Sequence, residues 1–166
     1  RIGEELDYTH EATNQRAFHA LYEGHPFIRV PRVMDRFSTA RVLTSELIDG
    51  RRFSDILGES LEVRTRYGEI LYRFVFGSIF RFGVFNGDPH PGNCLFDEQG
   101  QMVFLDFGCV KYFPLPMLER WRRFVSAHLE GDAAKFRELT IEFGFIPPDS
   151  DISAERLYRY FDYFQE

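Results

Sequence analysis

A loop rich in glycine and proline, followed by a short hairpin, is the feature that most constrains how this chain can fold. The loop, residues 85–93, contains two glycines and two prolines, which exclude a regular helix or a central strand. Apolar runs on either side of the polar turn at residues 97–100 predict a tight hairpin. Because a hairpin brings its ends together, the loop should meet the Asp106-Phe107-Gly108 turn in one small volume.

Three side chains on these segments would then converge: Asp88, Asn93 and Asp106. Carboxylate and amide oxygens suit Mg²⁺, and phosphoryl transfer needs that ion together with a separate carboxylate that orients the attacking group. Protein kinases supply an Asp, an Asn five residues later and a later Asp-Phe-Gly, and this chain has all three in order. Each motif alone is a weak signal, but their joint order predicts a phosphate-transfer site. His90 in the same loop is predicted to make a stabilising hydrogen bond rather than to bind metal.

Composition excludes several other classes. A net charge of −6 and a lysine content limited to Lys111 and Lys135 argue against a nucleic-acid-binding module. Cys94 and Cys109 fit neither a zinc site nor a disulfide framework, so we expect a reducing compartment. No targeting signal or membrane span is visible. The compact basic cluster of residues 120–123 is interpreted as a solvated helix face.

Periodicity predicts a helix from Glu4 to about Glu23 and a strand pair, residues 28–34 and 41–48, around a polar turn. A short helix follows at residues 52–58. A long helix is predicted from Leu61 to Phe82, with two apolar stripes that we assign to the core because helices apolar on several faces are normally buried. Further helical segments are predicted from Pro116 to about Phe143 and from Ile152.

Four segments resemble the UbiB (AarF-like) atypical protein-kinase-like family, which is associated with ubiquinone and other isoprenoid-lipid metabolism. The resemblance extends over most of the chain, and its first and third segments are fairly specific. The four segments are Glu5-Leu6-Asp7-Tyr8-Thr9-His10-Glu11-Ala12, Leu43-Thr44-Ser45-Glu46-Leu47, Asn86-Gly87-Asp88-Pro89-His90-Pro91-Gly92-Asn93 and Leu105-Asp106-Phe107-Gly108.

The resemblance implies ATP and Mg²⁺ as cofactors and a role for each matching residue. Asp88 would be the catalytic aspartate, and Asn93 and Asp106 would be the metal ligands. Glu11 would pair with a nucleotide-binding lysine, and Glu5 and Asp7 would face an N-terminal extension. The hinge that holds adenine through backbone groups would be formed by Glu46, Leu47 and Ile48.

The implied fold is α+β and kinase-like, a single domain with the rear of a small lobe in residues 1–48 and a mainly helical large lobe in residues 49–166. The nucleotide loop and the phosphate-binding lysine have no match, and the simplest account is truncation upstream of Arg1, although true loss would make a pseudokinase. We expect the isolated chain to bind nucleotide weakly and to lack ATPase activity. The implied location is the cytoplasmic side, with an isoprenoid lipid or a membrane surface as a partner. The oligomeric state stays open.

Two alternatives remain, and a third, the metallophosphoesterase, is discounted. Small-molecule phosphotransferases of the aminoglycoside or choline kinase type share a Gly-Asp-x-His-x-Gly-Asn loop, although Pro89 and the helix at residues 5–12 favour the UbiB type. A metallophosphoesterase would need more histidine-rich motifs than the chain offers. A nucleotide-binding scaffold without catalysis is permitted by the missing lysine.

Overall fold

The computed structural model describes residues 7–162, apart from the side chain of Asp162, and the chain folds into two compact units that divide after Phe113. The mixture of helices and short strands confirms the predicted α+β class. The predicted boundary between a small lobe, residues 1–48, and a large lobe, residues 49–166, does not coincide with the division after Phe113, and the lobe assignment stays a prediction. The first unit contains, in order, α1 (Tyr8–Tyr22), β1 (Ile28–Arg29), β2 (Arg51–Arg52), α2 (Phe53–Ile56), α3 (Leu61–Gly77), β3 (Val84–Asn86), β4 (Cys94–Phe96), β5 (Met102–Phe104) and β6 (Val110–Tyr112).

Helix α1 begins after Asp7, whose carboxylate accepts the Thr9 N–H at 2.9 Å and caps the first turn. The predicted start at Glu4 lies outside the described residues, as does Glu5. One face of the helix is buried and carries two polar side chains among apolar ones. The buried residues are Ala12, Asn14, Gln15, Phe18 and Tyr22.

The predicted hairpin is confirmed. Strands β4 and β5 pair antiparallel, with Cys94 opposite Phe104. The turn between them is held by the Asp97 carboxylate, which accepts the N–H groups of Gln99 and Gln101 at 3.1 and 2.8 Å. Strand β1 joins β5 in parallel and β2 joins β4 in antiparallel, which gives a four-stranded sheet in the order β1-β5-β4-β2.

A second, two-stranded sheet ties the loop to the chain that follows the Asp-Phe-Gly turn. Strands β3 and β6 pair antiparallel, and the ladder continues past Asn86 with a hydrogen bond from the Gly87 N–H to the Cys109 carbonyl at 2.7 Å. A Cβ atom at position 87 would lie 3.2 Å from that carbonyl oxygen. Glycine therefore lets the start of the loop approach the end of the turn.

The predicted strand pair of residues 28–34 and 41–48 is only partly present. Its first residues form β1 and pair with β5, whereas the remainder is reduced to an isolated antiparallel bridge between Val33 and Ser45. Pro31 has no N–H to donate, which interrupts a regular ladder at this point. A 3₁₀ turn at Asp35–Phe37 connects the two segments.

Helix α3 continues into a π-helical turn, Ser78–Phe82, that ends at Gly83 with a φ of 71°. Its inner face is buried: Phe74 stacks on Phe104 with ring centroids 3.6 Å apart. The prediction that both apolar stripes are core is wrong, because Tyr72 is 64% and Phe76 41% exposed. Their rings contact each other at 4.5 Å on the face opposite Phe74.

The second unit is helical. Its core is built around Phe124, Phe136 and Leu139, and within the basic cluster Arg120 pairs with Glu142 at 2.9 Å. No helix in residues 7–162 is both long and apolar enough to cross a membrane. The helices are α4 (Leu115–Leu129), α5 (Ala133–Glu142) and α6 (Ala154–Asp162).

Candidate active site

The hairpin brings Asn93 and Asp106 into direct contact. Asn93 stands just before β4 and Asp106 two residues after β5, and the Leu105 N–H donates to the Asn93 carbonyl at 2.9 Å. The Asn93 Nδ2 donates to the Asp106 Oδ2 at 3.2 Å. Two residues thirteen positions apart therefore present an amide and a carboxylate at one place, as the sequence predicts.

The Asp106 carboxylate is held from its other side by the turn that follows it. Its Oδ1 accepts the Gly108 N–H at 2.9 Å, and a Cβ atom at position 108 would lie 3.4 Å from the same oxygen. Asp106 and Asn93 are both half-buried, so their remaining lone pairs can face a ligand.

Asp88 is connected to Asp106 through Asn86, a residue for which the sequence predicts no role. Asn86 is only 4% exposed. Its Nδ2 donates to the Asp106 carbonyl at 2.7 Å, while its Oδ1 accepts the Asp88 N–H at 3.2 Å. The side chain of Asp88 is exposed. A polar residue at a buried strand position, just before Gly87-Asp88, was the available signal for this bridge.

His90 shapes the loop, as predicted. Its Nδ1 accepts the Gly92 N–H at 3.0 Å and caps the 3₁₀ turn at Pro91–Asn93. A Cβ atom at position 92 would lie 3.0 Å from that nitrogen. The histidine and the glycine together set the path of the chain into Asn93.

Glu11 on α1 reaches the same turn. Its Oε1 accepts the Phe107 N–H at 3.4 Å. Burial raises the pKa of the Glu11 carboxyl above its ordinary value, the neighbouring Asp106 charge raises that pKa further, and the Phe107 N–H acts in the opposite direction. None of the ion pairs among residues 7–162 includes Glu11, Asp88 or Asp106.

Within residues 7–162, the hydrogen bonds and ion pairs of Glu46 go to arginines and not to these acidic residues, and the role of the predicted hinge stays a prediction. The Glu46 carboxylate accepts hydrogen bonds from the Arg29 guanidinium at 2.9 Å and from the Arg32 N–H at 3.2 Å. The backbone N–H of Glu46 donates to the Arg32 carbonyl at 2.8 Å. Leu47 is 95% exposed and Ile48 is half-buried.

The residues present fit a magnesium ion. Asp106 offers carboxylate oxygens and Asn93 an amide oxygen, which are hard donors of the kind that Mg²⁺ accepts. No group of three or more His, Cys, Asp or Glu side chains in residues 7–162 is arranged to hold a metal. Mg²⁺ commonly takes one or two protein ligands and completes its shell with water and substrate phosphates, which suits a site built from Asp106 and Asn93.

Comparison with known proteins also indicates a kinase-like protein. Residues 1–140 match the family model described as "ABC1 atypical kinase-like domain". The chain is 30% identical over 143 residues to "Atypical kinase COQ8B, mitochondrial" of Rattus norvegicus, covering 86% of this chain and 27% of that protein. It is 29% identical over 157 residues to "Protein ACTIVITY OF BC1 COMPLEX KINASE 8, chloroplastic" of Arabidopsis thaliana, covering 92% of this chain and 21% of that protein.

A solved structure shares the fold. The "complex structure of Rv3197-erythromycin from Mycobacterium tuberculosis" superposes with a TM-score of 0.75 at 31% identity, over 90% of this chain and 38% of that one. The chain thus spans 21% and 27% of the length of the two curated relatives.

Proposed function

Because this chain belongs to the ABC1 atypical kinase-like family, we propose that it carries the magnesium-nucleotide site of an atypical kinase or ATPase of the UbiB type. The observation that supports the proposal most directly is the contact between Asn93 and Asp106 across the base of the hairpin. It joins the two residues that phosphoryl transfer would use to hold the metal.

Each residue of the site has a distinct task in this proposal. Asp106 and Asn93 hold Mg²⁺, which when bound neutralises the phosphate charge that develops during transfer. Asp88 accepts the proton of the attacking hydroxyl or water and orients it. Its exposed position on a loop anchored by Asn86 leaves room for an acceptor.

The surrounding segments complete the nucleotide site. Glu11 would pair with a lysine that binds the phosphates, and the raised pKa of its carboxyl is consistent with a group whose cationic partner is not among the described residues. Adenine would be held by backbone groups of the hinge. Because the Glu46 N–H already donates to Arg32, the groups that follow it, on Leu47 and Ile48, are the ones we expect adenine to use.

The partners we propose follow from the UbiB resemblance. Nucleotide is the first, and the second is an isoprenoid lipid or a membrane surface, with the activity serving ubiquinone or isoprenoid-lipid metabolism. A peripheral membrane position fits this proposal. Nucleotide-dependent release of the full-length protein from isoprenoid-containing vesicles, measured by flotation, would test that part separately.

The metal assignment is tested by Asp106→Asn. We expect Mg²⁺-dependent ATP binding by the full-length protein, measured by calorimetry, to weaken about a hundredfold, because an amide replaces the charged ligand. Asn93→Ala should weaken binding about tenfold, since a neutral ligand is lost. Asp35→Asn changes an exposed carboxylate outside the site and is the control. Equal Mg²⁺-dependent affinity in wild type and Asp106→Asn would refute the proposal.

A further inference from the structure

Helix α1 holds Phe107 at three points. Glu11, Asn14 and Phe18 lie three and four residues apart and therefore share one helix face. Glu11 accepts the Phe107 N–H, the Asn14 Nδ2 donates to the Phe107 carbonyl at 3.0 Å, and the Phe18 ring lies 5.0 Å from the Phe107 ring. Both backbone polar groups and the side chain of this one residue are thus bound by α1.

Asn14 is the buried polar member of this set. It is 1% exposed, and its Oδ1 accepts the hydroxyl of Tyr112, on β6, at 3.0 Å. That hydroxyl fixes which end of the amide faces Phe107, because only the nitrogen end can donate to a carbonyl. A buried amide is costly unless both ends are satisfied, and here both are.

The hydrogen bonds of Asn14 extend to the proposed metal ligand. The Phe107 carbonyl and the Gly108 N–H belong to one planar peptide group, and that N–H donates to the Asp106 Oδ1 at 2.9 Å. Fixing the Phe107 carbonyl therefore also fixes the donor that holds the Asp106 carboxylate. The Asp106 carbonyl is fixed in turn by Asn86 at 2.7 Å. The two asparagines therefore hold successive carbonyl groups of the turn.

We propose that Asn14 is a positioning residue, which holds the Asp106-Phe107-Gly108 turn in the arrangement that directs the Asp106 carboxylate toward Asn93 and the metal. Asn14 does not touch the proposed reacting groups and acts through Phe107. The inference rests on the proposed function for its catalytic meaning, but its structural part, the control of the turn by Asn14, stands separately.

The chain offers a matched control in the next residue. Gln15 is 0% exposed on the same helix, and its Nε2 donates to the Pro31 carbonyl at 2.8 Å and to the Ser45 Oγ at 3.0 Å. Gln15 therefore secures the same helix without touching the turn. Replacing it should disturb packing to a similar degree at a different place.

The test compares Asn14→Leu with Gln15→Met in the full-length protein, since each change keeps the size of the side chain and removes its hydrogen bonds. We expect Asn14→Leu to raise the Mg²⁺ concentration for half-maximal ATP binding about tenfold, the loss expected when buried partners are left unpaired. Gln15→Met should keep that concentration within about twofold. Tyr112→Phe, which frees the amide to rotate, should give a smaller shift in the same direction and covers the case in which Asn14→Leu fails to fold.

Hydrogen exchange supplies a readout that needs no ligand. Asn14→Leu should speed exchange of the amides of residues 106–109, whereas Gln15→Met should speed exchange in residues 31–46. If wild type binds no Mg-ATP, the proposed function is refuted, but the exchange data still test whether Asn14 holds the Asp106-Phe107-Gly108 turn. Similar exchange patterns in the two variants would overturn the inference. Faster exchange in Asn14→Leu with an unchanged Mg²⁺ dependence would reduce Asn14 to a packing role and also overturn it.

Discussion

Glu46 and Glu11 are both half-buried glutamates of the first unit, yet their surroundings act on them in opposite directions. For Glu46, burial alone would raise the pKa, but hydrogen bonds from the Arg32 N–H and the Arg29 guanidinium, with the charges of both arginines, outweigh burial and lower that pKa. For Glu11, burial raises the pKa, the Asp106 charge adds to the rise, and a single backbone N–H opposes both.

The difference separates a neutralised cluster from one that, within the described residues, holds unpaired acidic groups. Around Arg29, the carboxylates of Glu46 and Asp97 lie at 2.9 and 3.4 Å and are neutralised within the fold. Around Phe107, Glu11 and Asp106 lie together without an ion-pair partner in residues 7–162. Acidic groups kept together at an energetic cost are typical of sites that bind cations or act in catalysis. The contrast supports the proposal that Mg²⁺ and a lysine would complete the Phe107 region.

The largest effect should come from the acidic region, with Asp88→Asn. This change removes the proposed proton acceptor and keeps the shape of the side chain, so turnover of ATP should fall about 10²- to 10⁴-fold. Nucleotide affinity should stay within about twofold, since Asp88 does not hold nucleotide in the proposal. Steady-state ATPase assays and calorimetry on the full-length protein measure the two quantities. Turnover within about tenfold of wild type would show that Asp88 is not the catalytic carboxylate.

A smaller effect is expected from breaking the neutralised region with Arg29→Met. Methionine keeps an apolar stem but leaves Glu46 and the Asp97 side chain, which is 2% exposed, without their guanidinium. The free energy of unfolding in urea should fall by about 2 kcal/mol at pH 7. Asp35→Asn, which breaks an exposed pair with Arg16, should change it by less than about 0.5 kcal/mol.

The loss of stability caused by Arg29→Met should depend on pH in a direction that can be measured. The folded pKa of Glu46 lies below its ordinary 4.5, so the stability from its pairing is present above that pH and is lost as pH falls through the folded value. The penalty of Arg29→Met should therefore shrink below pH 4.5. A penalty no greater than that of Asp35→Asn at pH 7 would remove the contrast between the two regions.

Local sequence patterns predicted the parts of the site that depend on neighbouring residues. The hairpin, the meeting of Asn93 with Asp106 and the hydrogen bond of His90 all follow from turn residues and apolar alternation within about twenty positions. Asn86 and Asn14 were missed because their amides bind backbone carbonyls 20 and 93 residues away. A carbonyl is present at every position, so nothing in the sequence marks which one an amide will meet.

The errors in the fold predicted from the sequence have a similar origin. Periodicity shows that α3 is apolar on two faces but does not show which face other elements will cover, so Tyr72 and Phe76 were wrongly assigned to the core. For residues 28–34, the β-branched composition indicated a strand, and only the first two residues, Ile28–Arg29, form one. The partner, β5, lies more than seventy residues later in the chain, and the sequence offered a nearer segment instead.

The smallest predicted effect is also the sharpest test of the comparison, because two identical substitutions should have opposite signs. Glu11→Gln keeps an oxygen that can accept the Phe107 N–H and removes a charge that the fold disfavours. The folded pKa of Glu11 lies above its ordinary 4.5, so ionising Glu11 lowers the free energy of unfolding of wild type. This loss of stability is absent below pH 4.5 and is complete once pH has risen through the folded value. Glu11→Gln should therefore stabilise this chain at pH 7 by about 0.5 kcal/mol, a gain limited by solvent screening of a half-buried group.

Glu46→Gln, which removes favourable pairing, should destabilise the chain under the same conditions. Urea unfolding of both variants at pH 7 and pH 4 measures the two signs. If a phosphate-binding lysine pairs with Glu11, as proposed, the same Glu11→Gln change should weaken nucleotide binding, so that stability and function move in opposite directions. Destabilisation of this chain by Glu11→Gln at pH 7 would show that the carboxylate is already compensated, and the Phe107 region would then no longer differ from the Arg29 cluster.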